Sequence, residues 1–339
     1  MKINYKKLAK DASLKGIFKG IPANQLEAFF ANSGPELLVR LFLAEIQPLL
    51  FRGNNFMSRA RIDDAYVNND SVQLAHSGTL PGATVNRSIL PALIAPRTDV
   101  ATQYNLEEIT VDPVLLGRSE ELVVAYNKRQ SILEQQALVI MQKCGDRCLQ
   151  KWAAGANSAH IIPSTGAARA ASNTNGAQTG NRKAFTIADI ASVQQIFFQD
   201  NVNNELEDIQ GVAVVTPRQY NDFMQIAQFT QWLQYGSAIV PSGVMKRAFG
   251  FDFYVRSLVI NLDSTGAIKA EGAAGATSDQ DAAIFYSPLY VRRAVGPYIP
   301  FINENKAEYF GSLFSSLIRF GAVQARNDSK GVVLLYESN

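Results

Sequence analysis

Between residues 118 and 154, apolar side chains recur at spacings of three, four and seven: Leu122, Val123, Tyr126, Ile132, Leu133, Ala137, Ile140, Met141, Cys144, Cys148 and Trp152. That period predicts a long helix with one buried face. No proline interrupts it. Ser119 can cap its first turn, Glu120 and Glu121 suit its N-terminal dipole, Lys151 suits the other end, and Gly155 supplies a stop. Roughly 35 residues at about 1.5 Å each make a rod of about 50 Å. Its heptads are too irregular for a strict coiled-coil seam. Because β-type patterns flank it on both sides, it reads as a spine on which other elements hang.

Ahead of the spine, the first 20 residues are only weakly periodic. A short helix is expected over 25–31. A strongly apolar helical stretch follows Pro35, and Pro48 ends or kinks it. Residues 71–76 and 97–111 alternate in the manner of strands, and SGTLPGA at 77–83 is a turn. Pro91 and Pro96 bar a central strand through 85–95. The pattern predicts a long hairpin with polar residues on both faces and little core beneath it. A lone two-stranded hairpin is marginal in water, so support from a partner, most easily another subunit, is expected.

After the spine, 153–183 is rich in Ala, Gly, Ser, Thr and Asn and reads as a loop without a packed core, with a short strand near 160–166. Thr186 can cap a helix reaching about Asp200. GVAVVT at 211–216 is a buried strand, and Pro217 starts another helix. A loop carrying Trp232 and Tyr235 leads to two strands joined by a turn at Phe249 and Gly250. Residues 263–280 form a second small-residue loop, and 282–286 return to strand. This order predicts a mixed sheet with helices on its faces. The chain ends in β structure over 308–325 and 331–337, beneath which the spine's apolar face should pack, with Cys144 and Cys148 as reduced core residues.

Composition narrows the function classes. Of 339 residues, 47% are hydrophobic and 18% charged, a low charged fraction that fits burial against copies of the same chain. A net charge of +2 argues against a dedicated nucleic-acid binder. The charge is uneven: Lys2, Lys6, Lys7, Lys10, Lys15 and Lys19 face only Asp11 in the first 20 residues. This basic arm is either a solvated terminus or a segment that lies on a neighbouring subunit or a polyanion. No signal-peptide core follows it, and no apolar run reaches the roughly 18 residues of a membrane span. Cys144 and Cys148, one helical turn apart, suit core thiols in a reducing cytosol better than a disulfide.

Candidate chemistry is sparse. His76 and His160 have no cysteine or carboxylate at metal-ligand spacing and read as surface or intersubunit histidines. There is no nucleophile elbow and no phosphate-binding glycine loop. The adjacent pairs Asp63–Asp64, Glu107–Glu108 and Glu120–Glu121 should point apart and be solvated or capping. No catalytic group, metal site or cofactor is therefore predicted. Trp232 and Tyr235 could hold a ligand or anchor an interface.

One family shows this order of elements. An arm, a long hairpin, the pattern RxDxxxxYxxxxxxxDP at Arg97, Asp99, Tyr104, Asp112 and Pro113, and then a spine helix resemble tailed-bacteriophage major capsid proteins of the Hong Kong 97 type. The strand-Pro-x-x-Tyr turn at Pro217 and Tyr220 extends the resemblance through the second half. It covers essentially the whole chain. The resemblance implies an α+β capsid fold with an N-terminal arm (1–54), an extended E-loop (55–117), a peripheral domain with the spine helix (118–184), an axial domain (185–299) and peripheral C-terminal strands (300–339).

It further implies a structural protein, not an enzyme, that self-assembles as hexamers and pentamers into an icosahedral head enclosing double-stranded DNA. The implied location is the virion, with assembly in the host cytoplasm and no membrane partner. Portal and scaffolding proteins, and a decoration protein, are the implied partners, and contact with packaged DNA would be non-specific. His76, Leu80, Pro81, Arg87, Trp232 and Tyr235 become intersubunit contact candidates; Lys2, Lys6, Lys7 and Lys10 become DNA-facing or clamp candidates. The family's long N-terminal scaffold segment has no room before the arm, so a separate scaffolding protein is expected. No residue matches the lysine–asparagine cross-link of some relatives, so assembly should be non-covalent. An encapsulin-like nanocompartment shell would share the fold, and a soluble hydrolase is the rival from another class.

Overall fold

The computed structural model describes residues 54–67, 70–76, 82–88, 94, 99–117, 128–202, 210–226, 247–326 and 328–339. The expected arm and N-terminal helices, Arg97, the spine's first turns and the 227–246 loop lie outside these residues.

Among the described residues there are three α-helices: α1 (Lys128–Ala154), α2 (Ile187–Gln199) and α3 (Pro217–Met224). The strands up to the first helix pair are β1 (Arg61–Ile62), β2 (Ser71–His76), β3 (Val100–Asn105), β4 (Glu107–Gly117), β5 (Ile161–Pro163), β6 (Ala168–Ala170) and β7 (Asn181–Lys183). The remainder are β8 (Gly211–Val215), β9 (Arg247–Ala248), β10 (Phe251–Val255), β11 (Ile260–Leu262), β12 (Gln280–Tyr286), β13 (Val291–Lys306), β14 (Gly311–Gln324) and β15 (Val332–Tyr336). The chain divides into two compact units. The smaller contains Thr110–Leu138 and Tyr298–Leu317; the larger contains Phe51–Ile109, Val139–Pro297 and Ile318–Asn339.

The larger unit is built on a mixed sheet ordered β5-β15-β12-β8-β10-β9, with β11 also on β12. β8 runs parallel to β10 and antiparallel to β12. Both central strands are buried along their whole length, which explains their unbroken apolar sequence. Their alternate side chains serve two cores. Ala213, Val215, Ala283 and Phe285 join Phe197 of α2, Phe223 of α3 and Phe251. Phe251 meets Phe285 edge-on with centroids 5.2 Å apart, and Phe197 at 5.4 Å. Gly211 makes this possible, because a Cβ there would lie 2.3 Å from the Phe251 ring.

On the opposite parity, Tyr286 packs against Trp152 of α1, and Trp152 meets Phe56 edge-on. Both short helices start as their sequences predict. Thr186 with Asp189, and Thr216 with Gln219, form reciprocal capping boxes, and Pro217 takes the first turn of α3.

In the smaller unit, the first part of α1 buries Ile132, Leu133 and Ala137. Gln136 Nε2 donates to the Phe314 carbonyl at 2.9 Å, and the Arg129 guanidinium lies 5.1 Å from the Phe314 ring centre while pairing with Glu304 at 2.7 Å. Ser315 Oγ donates to the Val111 carbonyl at 2.6 Å. The strand segments of this unit are the parts of β4, β13 and β14 that fall within Thr110–Leu138 and Tyr298–Leu317.

The start of the spine meets Phe314 of β14 as expected, and its C-terminal half meets Tyr286 of β12 and Phe56. The indole explains this: Trp152 Nε1 must find an acceptor once buried, and does so at the Arg292 carbonyl, 3.1 Å away. Cys144 and Cys148 are free and buried on this half.

Candidate assembly surfaces

The β2–β3 hairpin runs in register from Ser71 opposite Asn105 to His76 opposite Val100. Its pleat turns Val72, Leu74 and Tyr104 to one side, where they join Leu106 and pack with Ala294, Val67 and Val323. The hairpin root thus has a core within its own chain, contrary to the expectation of little core beneath it. The apolar positions are few and spaced by two, so the polar residues between them mask the face.

Further out the character changes. All seven described residues of 82–88 are exposed. Val85 is 89% and Ile94 92% exposed, and Arg87 Nη2 donates to Thr84 Oγ1 at 3.3 Å. Leu80, Pro81, Trp232, Tyr235, Lys2, Lys6, Lys7 and Lys10 lie outside the described residues, and His76 is placed only by its strand pairing.

A second exposed apolar group was not legible in the sequence, which read 308–325 as a continuous apolar stretch of β structure. The chain turns at 307–310 instead, between β13 and β14. Tyr309 is exposed there, as is Phe301 on β13, and Phe310 is 83% exposed with φ +46°. A bulky residue in left-handed backbone next to Gly311 is strained.

The pairs Asp63–Asp64 and Glu107–Glu108 point apart as expected but are not simply solvated, and Glu120–Glu121 lies outside the described residues. Asp63 is 2% exposed; it accepts from Tyr104 Oη at 3.0 Å and from Arg292 Nη1 at 2.9 Å. Asp64 accepts from the Val295 amide at 2.8 Å. Glu107 accepts from Arg147 at 2.5 and 2.8 Å and pairs with Lys151 at 2.7 Å; Glu108 pairs with Arg319 at 2.9 Å. Burial, reinforced by Asp63, raises the Tyr104 phenol well above its usual range. The Arg147 hydrogen bonds hold the Glu107 carboxyl down at about 2.

Residues 164–183 also depart from expectation. They lack an apolar core but have a polar one. Glu337 is fully buried and accepts from Arg169 at 3.0 and 3.2 Å, from Gln219 Nε2 at 3.0 Å, and from the Ser172 amide and hydroxyl. Arg169 also pairs with Asp222 at 2.5 Å. Asp281 accepts from Thr174 Oγ1 at 2.6 Å and Gln178 Nε2 at 2.9 Å. Buried Arg182 donates to the carbonyls of Thr277 and Asp279, tying the 263–281 loop to the same lobe. Burial pushes the Asp222 and Asp281 carboxyls up.

His160 is buried, not a surface histidine: it sits 3.1 Å from Asp200, which also pairs with Lys330 at 3.3 Å. Among the described residues no group of three His, Cys, Asp or Glu side chains could hold a metal ion. No helix of the described residues is long and apolar enough to cross a membrane.

No protein-family model matches the chain, and no curated protein matches it in sequence. Solved structures do match in fold. The capsid structure of the cyanophage P-SCSP1u aligns with a TM-score of 0.57 at 14% identity, covering 83% of this chain and 87% of that one. The capsid of Ralstonia phage GP4 gives 0.57 at 11% identity, again covering 83% and 87%. The capsid of the native GTA particle gives 0.57 at 10% identity, covering 84% and 90%. The chain has the α+β fold of tailed-phage major capsid structures, as its order of elements led us to expect.

Proposed function

We propose that this chain is a structural major capsid protein that self-assembles as hexamers and pentamers into an icosahedral head around double-stranded DNA. The observation that carries the reading is the fold match, which extends over more than four-fifths of this chain and of each phage capsid subunit. The exposed apolar residues of the distal hairpin and of the β13–β14 turn support it, since such residues at element tips suit burial against another subunit. On this reading 1–54 is the N-terminal arm, 55–117 the E-loop, 118–184 and 300–339 the peripheral domain, and 185–299 the axial domain.

His76, Leu80, Pro81, Arg87, Trp232 and Tyr235 are proposed as intersubunit contacts, and Lys2, Lys6, Lys7 and Lys10 as DNA-facing or clamping residues. Portal, scaffolding and decoration proteins are the proposed further partners, the virion the proposed location, and the role is not enzymatic. An encapsulin-like shell shares the fold, but the phage capsids matched here favour the head. Electron microscopy of the purified chain tests the proposal, and nucleic acid inside purified particles separates a phage head from a nanocompartment.

A further inference from the structure

We infer that Asp63, Tyr104 and Arg292 form a clamp that sets the direction of the β2–β3 hairpin in the lone subunit, before any partner binds. A two-stranded ribbon leaving a body can swing about its root unless something beyond the chain crossing fixes it. Asp63, ahead of the ribbon in the chain, is tied to β13 of the body: its amide donates to the Arg293 carbonyl at 2.9 Å, and its carboxylate accepts from Arg292 Nη1. Tyr104 belongs to the ribbon, paired with Val72. The 3.0 Å bond from its phenol to Asp63 therefore joins ribbon to body away from the crossing. Hydrogen bonds to a buried charge are strong and directional.

The surroundings fit that role. A Cβ on Gly321 would stand 3.1 Å from the Tyr104 ring, so the glycine lets the ring lie close against β14. The Leu106 amide closes the root on the Asp70 carbonyl at 2.7 Å. Outside, Arg319 bridges Asp70 on one side of the ribbon and Glu108 on the other.

That the preset direction serves shell assembly rests on the proposed function; the clamp itself does not. The test uses unassembled protein isolated by size exclusion and spin-labelled at Ala75→Cys on β2 and Ala191→Cys on α2, both exposed positions. Cys144 and Cys148 are buried and stay unlabelled. The otherwise unchanged chain should give one narrow distance distribution. In Tyr104→Phe and Asp63→Asn its width should grow roughly twofold or more as the anchor is lost. A distribution unchanged in Tyr104→Phe, even with a lowered melting temperature, makes Tyr104 merely structural and overturns the inference. Should Asp63→Asn not fold, the near-isosteric Tyr104→Phe alone decides. Shell formation by the unsubstituted chain is scored separately, so failure of the clamp and failure of the capsid reading remain distinguishable.

Discussion

Trp152 packs on Tyr286 with ring planes tilted by 52° and centroids 4.8 Å apart, while the Tyr286 hydroxyl donates to the Phe56 carbonyl at 2.7 Å. The pair joins the spine helix to the central strand of the larger unit, and Trp152 is fully buried. Trp152→Ala should therefore destabilise the fold by roughly 3–5 kcal/mol, the usual cost of emptying a large aromatic site. Urea denaturation measures it. A loss below about 1 kcal/mol would show the site to be loosely packed.

The polar lobe makes a contrasting prediction. Arg169→Met leaves Asp222 and Glu337 buried without their cation, and should cost roughly 3–5 kcal/mol although no apolar core is touched. Equal stability of the variant in a denaturant titration would show that the guanidinium does not hold the two buried carboxyl groups in place.

The same lobe has a pH signature. Burial raises the Asp281 carboxyl in the folded state. The folded chain then binds more protons than the unfolded chain above the ordinary carboxylate value near about 4. This group's contribution to stability is therefore greatest below that value and declines as pH rises through its raised folded pKa. Asp281→Asn removes the titration, so its deficit relative to the unsubstituted chain should shrink as pH rises from about 4 to about 7. A deficit that is flat or widens over that range contradicts the assignment.

Both thiols should be inert in the native protein. Burial pushes the Cys144 thiol up to about 12 and Cys148 well above its usual value, and only a thiolate reacts readily. Disulfide reagent at pH about 8 should titrate no thiol before denaturation and both cysteines after it. Rapid native labelling would place this face of α1 in solvent.

The hairpin separates folding from assembly. Its root has a core in this chain, while residues 82–88 are exposed. Deleting 77–83 should leave the melting temperature within a few degrees and impair particle formation. Normal particles from the deletion would remove the distal hairpin from the assembly interface.

What the sequence disclosed follows from how local each signal is. The period of α1, the cap at Thr186, the helix start at Pro217, and the unbroken apolar runs of β8 and β12 are signals spread over a few residues each, and the described residues contain them. Burial of Asp63 had no such signal, because its partners Tyr104 and Arg292 lie 41 and 229 positions away. Arg169 and Glu337 are separated by 168 positions. A composition of small polar residues therefore looked like an unstructured loop when it was one half of a polar core. Phe310 read as part of a strand, since nothing in its neighbours announces a left-handed backbone.

Particle formation tests the central claim most directly. Negative-stain electron microscopy of the purified chain, expressed alone and with its scaffolding partner once identified, should show closed shells of uniform size or hexameric and pentameric rings. A discrete dimer or tetramer with no larger assembly under either condition would contradict a capsid role.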